Sequence, residues 1–302
     1  MKNRWIVAFF LGILLLLAGG LRSSWAGAII IDHTCTDLAK VPQAWIDKAR
    51  ADLRVTYGHT SHGSQLVTGI YAFRGTVGSA YYYTYSGSGY NATVFLNDYG
   101  IPGASDLGNP NRTAWATATR NLLNRDGGCN RNVVIWSWCG QVDGTEAEIA
   151  QYLSLMDQLE RDFPNVKFVY MTGHLNGTGV NGNVNQRNEQ IRRFCRENNK
   201  ILFDFADIES FNPDGNINFM LLNANDECYY TGGYNWADQW IAANPGSPLT
   251  QLAASCGSCA HSRRLNCILK GRAFWWMMAR LAGWPGPNKS VLTFLPLLLD
   301  NN

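Results

Sequence analysis

The strongest chemical signal in this chain is a serine between two histidines, in Gly58-His59-Thr60-Ser61-His62-Gly63-Ser64. A serine hydroxyl becomes nucleophilic at neutral pH only beside a base. The flanking glycines permit a tight turn and close approach of a substrate to the backbone. A helix beginning after Gly63 would aim free N–H groups at a developing oxyanion. The pattern points to acyl transfer on Ser61, with an ordinary helix-capping serine as the plain alternative. Spacing does not choose the base among the five histidines, His33, His59, His62, His174 and His261. His59, His62 and His174 could also bind zinc or copper. No His-x-x-x-His helix spacing supports that.

These residues need elements to hold them. Short apolar runs at residues 55–57, 93–96, 133–138, 167–172 and 201–205 read as buried strands. Helix-like segments lie between them. The clearest covers 146–163, opened by a capping box of Thr145 and Glu148 and ended by Pro164. Others cover 185–198 and 270–281, the last with Trp275 and Trp276 as core residues. Alternating strands and helices imply a parallel sheet covered on both faces. Ligands bind such sheets beyond the carboxyl ends of the strands. His59 to Gln65 follow the first run, and Asn97 to Ser105 the second. Cys139-Gly140-Gln141 follows the third, Gly173-His174-Leu175-Asn176 the fourth, and Ala206-Asp207 the fifth. His174 either lines the pocket or bonds a loop carbonyl.

The order of these motifs resembles the SGNH/GDSL-type hydrolase superfamily. The resemblance spans roughly residues 54–284. It implies a flavodoxin-like, three-layer α/β/α sandwich with a mostly parallel five-stranded sheet, and a serine esterase or carbohydrate deacetylase as its activity. Gly-His-Thr-Ser61 stands for that family's Gly-Asp-Ser block. By the same resemblance, Gly103 in the turn after residue 97 supplies an oxyanion N–H. Gln141 takes the place of the family's oxyanion asparagine. His261 matches the base of the terminal Asp-x-x-His block, with Ser258 where the aspartate would stand. With that aspartate missing, the expectation is a Ser61–His261 dyad or an acid from elsewhere, for which Asp207 and Asp238 are candidates that no motif supports. Ser61, Gly103 and Gln141 would hold the oxyanion, with His59, His62, His174, Asn176 and Asp207 around the pocket. In a sheet ordered 2-1-3-4-5 the switch point falls between the strands before Ser61 and Gln141.

Composition bounds the partners. Of 302 residues, 46% are hydrophobic and 16% charged, against about 25% charged in an average globular chain. That excludes intrinsic disorder. Lys2 and Arg4, an apolar run over 5–17 and Ala26-Gly27-Ala28 read as a secretory signal peptide over 1–28. The run is short for a membrane span of about 20 residues. Residues 29–302 would then form one exported or periplasmic domain with no stable membrane insertion. The formal charge is +2. The leader holds three of the 25 basic residues and none of the 23 acidic ones, so the mature chain carries −1. Nucleic acid is not an expected partner; a small-molecule or glycan ester is.

All eight cysteines lie after the leader. An even count in an exported chain suggests disulfides, including a stapled C-terminal segment around Cys256-Gly-Ser-Cys259. No cofactor motif is present. The rival expectations are a non-catalytic carbohydrate-binding or degenerate hydrolase domain, and a metal-dependent hydrolase built on the histidines. The aromatic insert at 81–90 reads as a surface hairpin or a sugar-stacking platform.

Overall fold

The computed structural model describes residues 27–287. The expected leader lies outside them, apart from Gly27 and Ala28. Seven strands form one sheet in which every neighbouring pair is parallel. They are β1 (Ile29–Ile31), β2 (Val55–Gly58), β3 (Tyr85–Ser86), β4 (Leu96–Asp98), β5 (Val133–Trp136), β6 (Lys167–Met171) and β7 (Ile201–Phe203). Their spatial order is β1-β7-β6-β5-β2-β4-β3. Within it, β4-β2-β5-β6-β7 reproduces the expected 2-1-3-4-5 order.

The count of five is corrected to seven, and both additions are edge strands. Only three and two residues long, they sit beside the leader junction and inside the Tyr/Ser/Gly-rich insert. β3 carries no apolar run, and the three isoleucines of β1 directly follow the expected leader. The second expected strand is also displaced, since Thr93 to Phe95 lead into β4 rather than form it.

The period-two alternation of side chains across the sheet separates two cores. Val133, Ile135, Val169 and Met171 join one cluster with α1 (Gln43–Asp52), α2 (Ser61–Ala72), α6 (Phe205–Glu209) and α9 (Arg264–Leu281). Val134, Trp136, Phe168 and Tyr170 join the other with α3 (Ala114–Leu123), α4 (Glu146–Asp162) and α5 (Asn183–Glu197). The result is a three-layer α/β/α sandwich. The capping box of α4 is present: Glu148 N–H donates to Thr145 Oγ1 at 3.2 Å, and Thr145 N–H to Glu148 Oε2 at 2.7 Å. Trp275 is fully buried and stacks on Phe95 at 5.5 Å.

Later segments complete the site side of the sheet. A small antiparallel ribbon of β8 (Tyr229–Tyr230) and β9 (Tyr234–Asn235) precedes α7 (Trp236–Ala243) and α8 (Pro248–Ser255). Helix α9 begins six residues before the expected Lys270. It crosses α2 where Gly69 and Gly271 meet: a Cβ on either would collide with the other helix's backbone. No helix among the described residues is long and apolar enough to cross a membrane.

The cysteine framework is corrected too. One disulfide joins Cys259 to Cys267 of α9, with Cα atoms 6.2 Å apart. Cys35, Cys129, Cys139, Cys195, Cys228 and Cys256 are free thiols. An even count records only that pairing is arithmetically possible. Cys35, Cys195 and Cys228 are buried as small apolar side chains.

Candidate active site

Ser61 is the first residue of α2, three residues beyond β2. It does not cap the helix. Thr60 holds the cap position and makes no capping bond with its side chain. The helical ladder starts with Ser64 N–H to Thr60 carbonyl at 3.0 Å. The N–H groups of Ser61, His62 and Gly63 therefore have no helical acceptor. Gly63 is required here, because a Cβ would collide with Ser137 Oγ, His59 and the Tyr57 hydroxyl. That hydroxyl in turn donates to the Gly63 carbonyl at 3.0 Å.

His261 meets Ser61 across 200 residues of sequence, with Nε2 3.0 Å from Oγ. It is exposed and adopts a left-handed φ of 53°. Two constraints hold this loop: the Cys259–Cys267 disulfide, and a 2.7 Å bond from Gln65 Nε2 to the Ala260 carbonyl. No carboxylate pairs with His261 among the described residues. Its ring instead stacks on His62, centroids 4.7 Å apart.

His62 belongs to a second constellation. Its Nδ1 lies 3.2 Å from Cys139 Sγ and its Nε2 2.9 Å from Asp226 Oδ2. Cys139 Sγ is 3.7 Å from Ser61 Oγ. The His62 hydrogen bond, outweighing partial burial, pulls the Cys139 thiol down to about 6. Burial opposes charge on His62, but the bonds to Asp226 and Cys139 prevail and push it up to about 9. Burial also works against charge on Asp226, yet His62 holds its carboxyl below the usual value.

Of the two alternatives for His174, the bond to a loop carbonyl is present. Its Nδ1 bonds the Leu175 carbonyl at 2.7 Å, and its ring stacks on His62 at 4.0 Å. Burial, then the charge of His62, lowers its basicity. Ligand atoms of His62, His174 and Asp226 lie within 4.8 Å of one another. His62, however, has one ring nitrogen directed at Cys139 and the other at Asp226. Both ring nitrogens of His62 are thus engaged within the protein.

Gln141 lies in the short helix Gly140–Val142, and its Oε1 accepts from Cys139 N–H at 3.2 Å. Its Nε2 is left available as a donor. The loop after β4 reaches the site not through Gly103 but through Asp106 and Gly108. Thr60 Oγ1 donates to Asp106 Oδ2 at 2.6 Å, and Gly108 packs against the Gln141 side chain. Gly103 has a φ of 107° and faces Ala118 of α3.

Two pocket candidates are corrected. His59 is buried, with Nε2 2.6 Å from Asp98 Oδ1 and Nδ1 2.9 Å from the Thr60 carbonyl. It faces the end of β4, while His62, three residues on, faces Cys139 and Asp226. Asp207 pairs with His33 at 2.6 Å. His33 lines a separate cleft of about 440 Å³ with Asp214, Leu249 and Arg272. Asn176 Oδ1 accepts from Thr178 N–H at 3.3 Å within its own turn, and its backbone bridges Asn225, next to Asp226. Asp238 pairs with Arg263 at 3.1 Å.

Beneath the site lies a buried network. Lys270 donates to Glu209 Oε1 at 2.6 Å and to Gln65 Oε1, and Glu209 Oε2 accepts from Leu175 N–H at 2.8 Å. One set of bonds thus ties the loops carrying His261 and His174 to α2 and α9.

Sequence reasoning missed Cys139 and Asp226. Cys139 stood directly after a predicted strand, a sufficient signal, but was counted as half of a cystine. Asp226 follows no strand of the main sheet. Its loop is anchored by Asp226 N–H to the Leu175 carbonyl at 3.1 Å, a contact without a local sequence mark. No family model, curated protein or solved structure matches the chain.

Proposed function

We propose that the protein is an exported serine hydrolase that cleaves esters, of a small molecule or a glycan, through an acyl-enzyme on Ser61. The observation that carries this reading is the 3.0 Å contact between His261 Nε2 and Ser61 Oγ at an uncapped helix start. His261 takes the hydroxyl proton as Oγ attacks the acyl carbonyl. The N–H groups at the start of α2, with Gln141 Nε2, offer donors to the tetrahedral oxyanion. His261 then returns the proton to the leaving alcohol. Water repeats the two steps on the acyl-enzyme and releases the acid. Stacking on His62 and the disulfide loop orient His261 in place of a carboxylate.

A fluorophosphonate probe tests the reading. Labelling of the wild-type protein on Ser61, lost in Ser61→Ala, is expected. Folded wild-type protein that takes no label overturns it. Tight glycan binding by such unlabelled protein would identify a binding module instead.

A further inference from the structure

Cys139, His62 and Asp226 form a complete nucleophile–base–acid line, and the serine mechanism, which uses only the face of the His62 ring, leaves its hydrogen bonds without a role. The three come from separate parts of the chain: the end of β5, the first turn of α2, and the loop before β8. Their contacts run in sequence, 3.2 Å from Sγ to Nδ1 and 2.9 Å from Nε2 to Oδ2. Cys139 is only partly buried, unlike Cys35, Cys195 and Cys228. We propose that Cys139 is a second nucleophile of this crevice, with His62 as its base and Asp226 positioning His62, and that it accepts acyl groups from esters or thioesters as a covalent thioester.

The chemistry closes on these residues alone. His62 Nδ1 holds the proton given up by the thiol. The sulfur forms a bond to the acyl carbon, and the carbonyl electron pair moves to oxygen. As the carbonyl re-forms, the bond to the leaving alcohol or thiol breaks, and that group takes the proton from His62. A water molecule later attacks the thioester carbonyl while His62 accepts its proton. The carbon–sulfur bond breaks with its electron pair returning to sulfur, and a carboxylic acid departs.

Charge placement agrees with the geometry. The groups facing the pair are Asp226, His174, Glu209 and His261, with the hydroxyls of Thr60 and Ser61 on Cys139. Thiolates, not thiols, attack electrophiles, and a thiol beside an imidazolium is held in that state. Ser61 Oγ lies 3.7 Å from Sγ, so one acyl group at a time occupies the space between them. The same start of α2 faces an oxyanion formed on either atom. The proposal does not depend on the serine reading, since it needs no proton transfer through His261.

The test uses Ser61→Ala, which removes the competing hydroxyl. Incubation with p-nitrophenyl acetate should leave one acetyl group on Cys139, identified by peptide mass spectrometry. Neutral hydroxylamine should release it, and Ser61→Ala/Cys139→Ala should not form it. Iodoacetamide should alkylate Cys139 with a midpoint near pH 6. At pH 6.5 the rate should be roughly fivefold to tenfold that of an ordinary thiol. Asp226→Asn should shift the midpoint upward, a change that a merely structural carboxylate would not produce. Wild-type protein gives the same alkylation readout if a variant fails to fold. A midpoint near the ordinary thiol value of about 8.5 overturns the proposal. So does a thiolate that alkylates but takes no acetyl group. Acetylation of Cys139 in protein whose Ser61 resists fluorophosphonate would sink the serine reading and leave this one standing.

Discussion

At the scale of single residues, the crevice holds two proposed nucleophiles, Ser61 Oγ and Cys139 Sγ, 3.7 Å apart. Ser61 was legible because its neighbours announce it: histidines and glycines crowd a strand–helix turn. Cys139 was hidden by an argument that treated all cysteines alike. Gln141 is where an expected role meets a stated geometry. Its Oε1 is engaged by Cys139 N–H, and its amide nitrogen is the remaining donor. Removing one oxyanion donor typically costs about 2.7–4 kcal/mol of transition-state stabilisation. Gln141→Ala should therefore lower kcat for ester hydrolysis by about 10²–10³-fold with little change in KM. A kcat within twofold of wild type would remove Gln141 from the oxyanion site.

At the scale of elements, the pairing of Ser61 with His261 is set by how α2 lies on α9. Ser61 begins one helix, and His261 stands three residues before the other. Gly69 and Gly271 let the two backbones touch, and any side chain there would force the helices apart. Lys270 then locks the crossing from below. Burial lowers its basicity while Glu209 opposes that, and both side chains are wholly shielded from water. Removing one partner of a buried pair leaves an uncompensated charge, at a cost of about 3–5 kcal/mol. Lys270→Met should lose about that much stability in urea unfolding. Lys270→Met/Glu209→Gln should recover part of it. A loss below about 1 kcal/mol in the single variant would show that the network does not hold the site together. None of this was readable from Lys270 itself, which the sequence marked only as the start of a helix. Its partner lies 61 residues away, and only the packed fold brings them together.

At the scale of the whole molecule, the central strands were legible and the edges were not. Central strands of a parallel sheet are buried on both faces and so become short apolar runs. Edge strands carry no such requirement, and β3 accordingly escaped; the three isoleucines of β1 escaped because they directly follow the expected leader. The β1 edge is secured by His33, which follows β1, and Asp207, which follows β7. Burial opposes charge on both, yet their contact raises the His33 pKa above 6.5 and lowers that of Asp207 below 3.8. The histidine contribution is fully present below its unfolded value of 6.5 and fades as pH rises through the raised folded value. The carboxylate contribution is present above 3.8 and fades as pH falls through the lowered folded value. The stability gap between wild type and Asp207→Asn should therefore be widest between about pH 4 and 6.5. It should narrow by pH 9. A gap unchanged from pH 5 to pH 9, by urea unfolding, would show that the pair contributes no charge-dependent stability.

The amino-acid sequence by itself determined the sheet's central strands, the capped α4 helix and the serine turn. Each rests on neighbours within a few residues, where backbone geometry and side-chain period act directly. Tertiary structure brings His261, expected at Ser61 only through the family resemblance, onto its Oγ, and it alone decided that Cys259 pairs with Cys267, eight residues on. It also decided that Cys139, His62 and Asp226 line up and that Lys270 is buried. Apart from the disulfide, those are contacts between segments tens to hundreds of residues apart. They depend on helix crossings and loop anchors that no local pattern encodes.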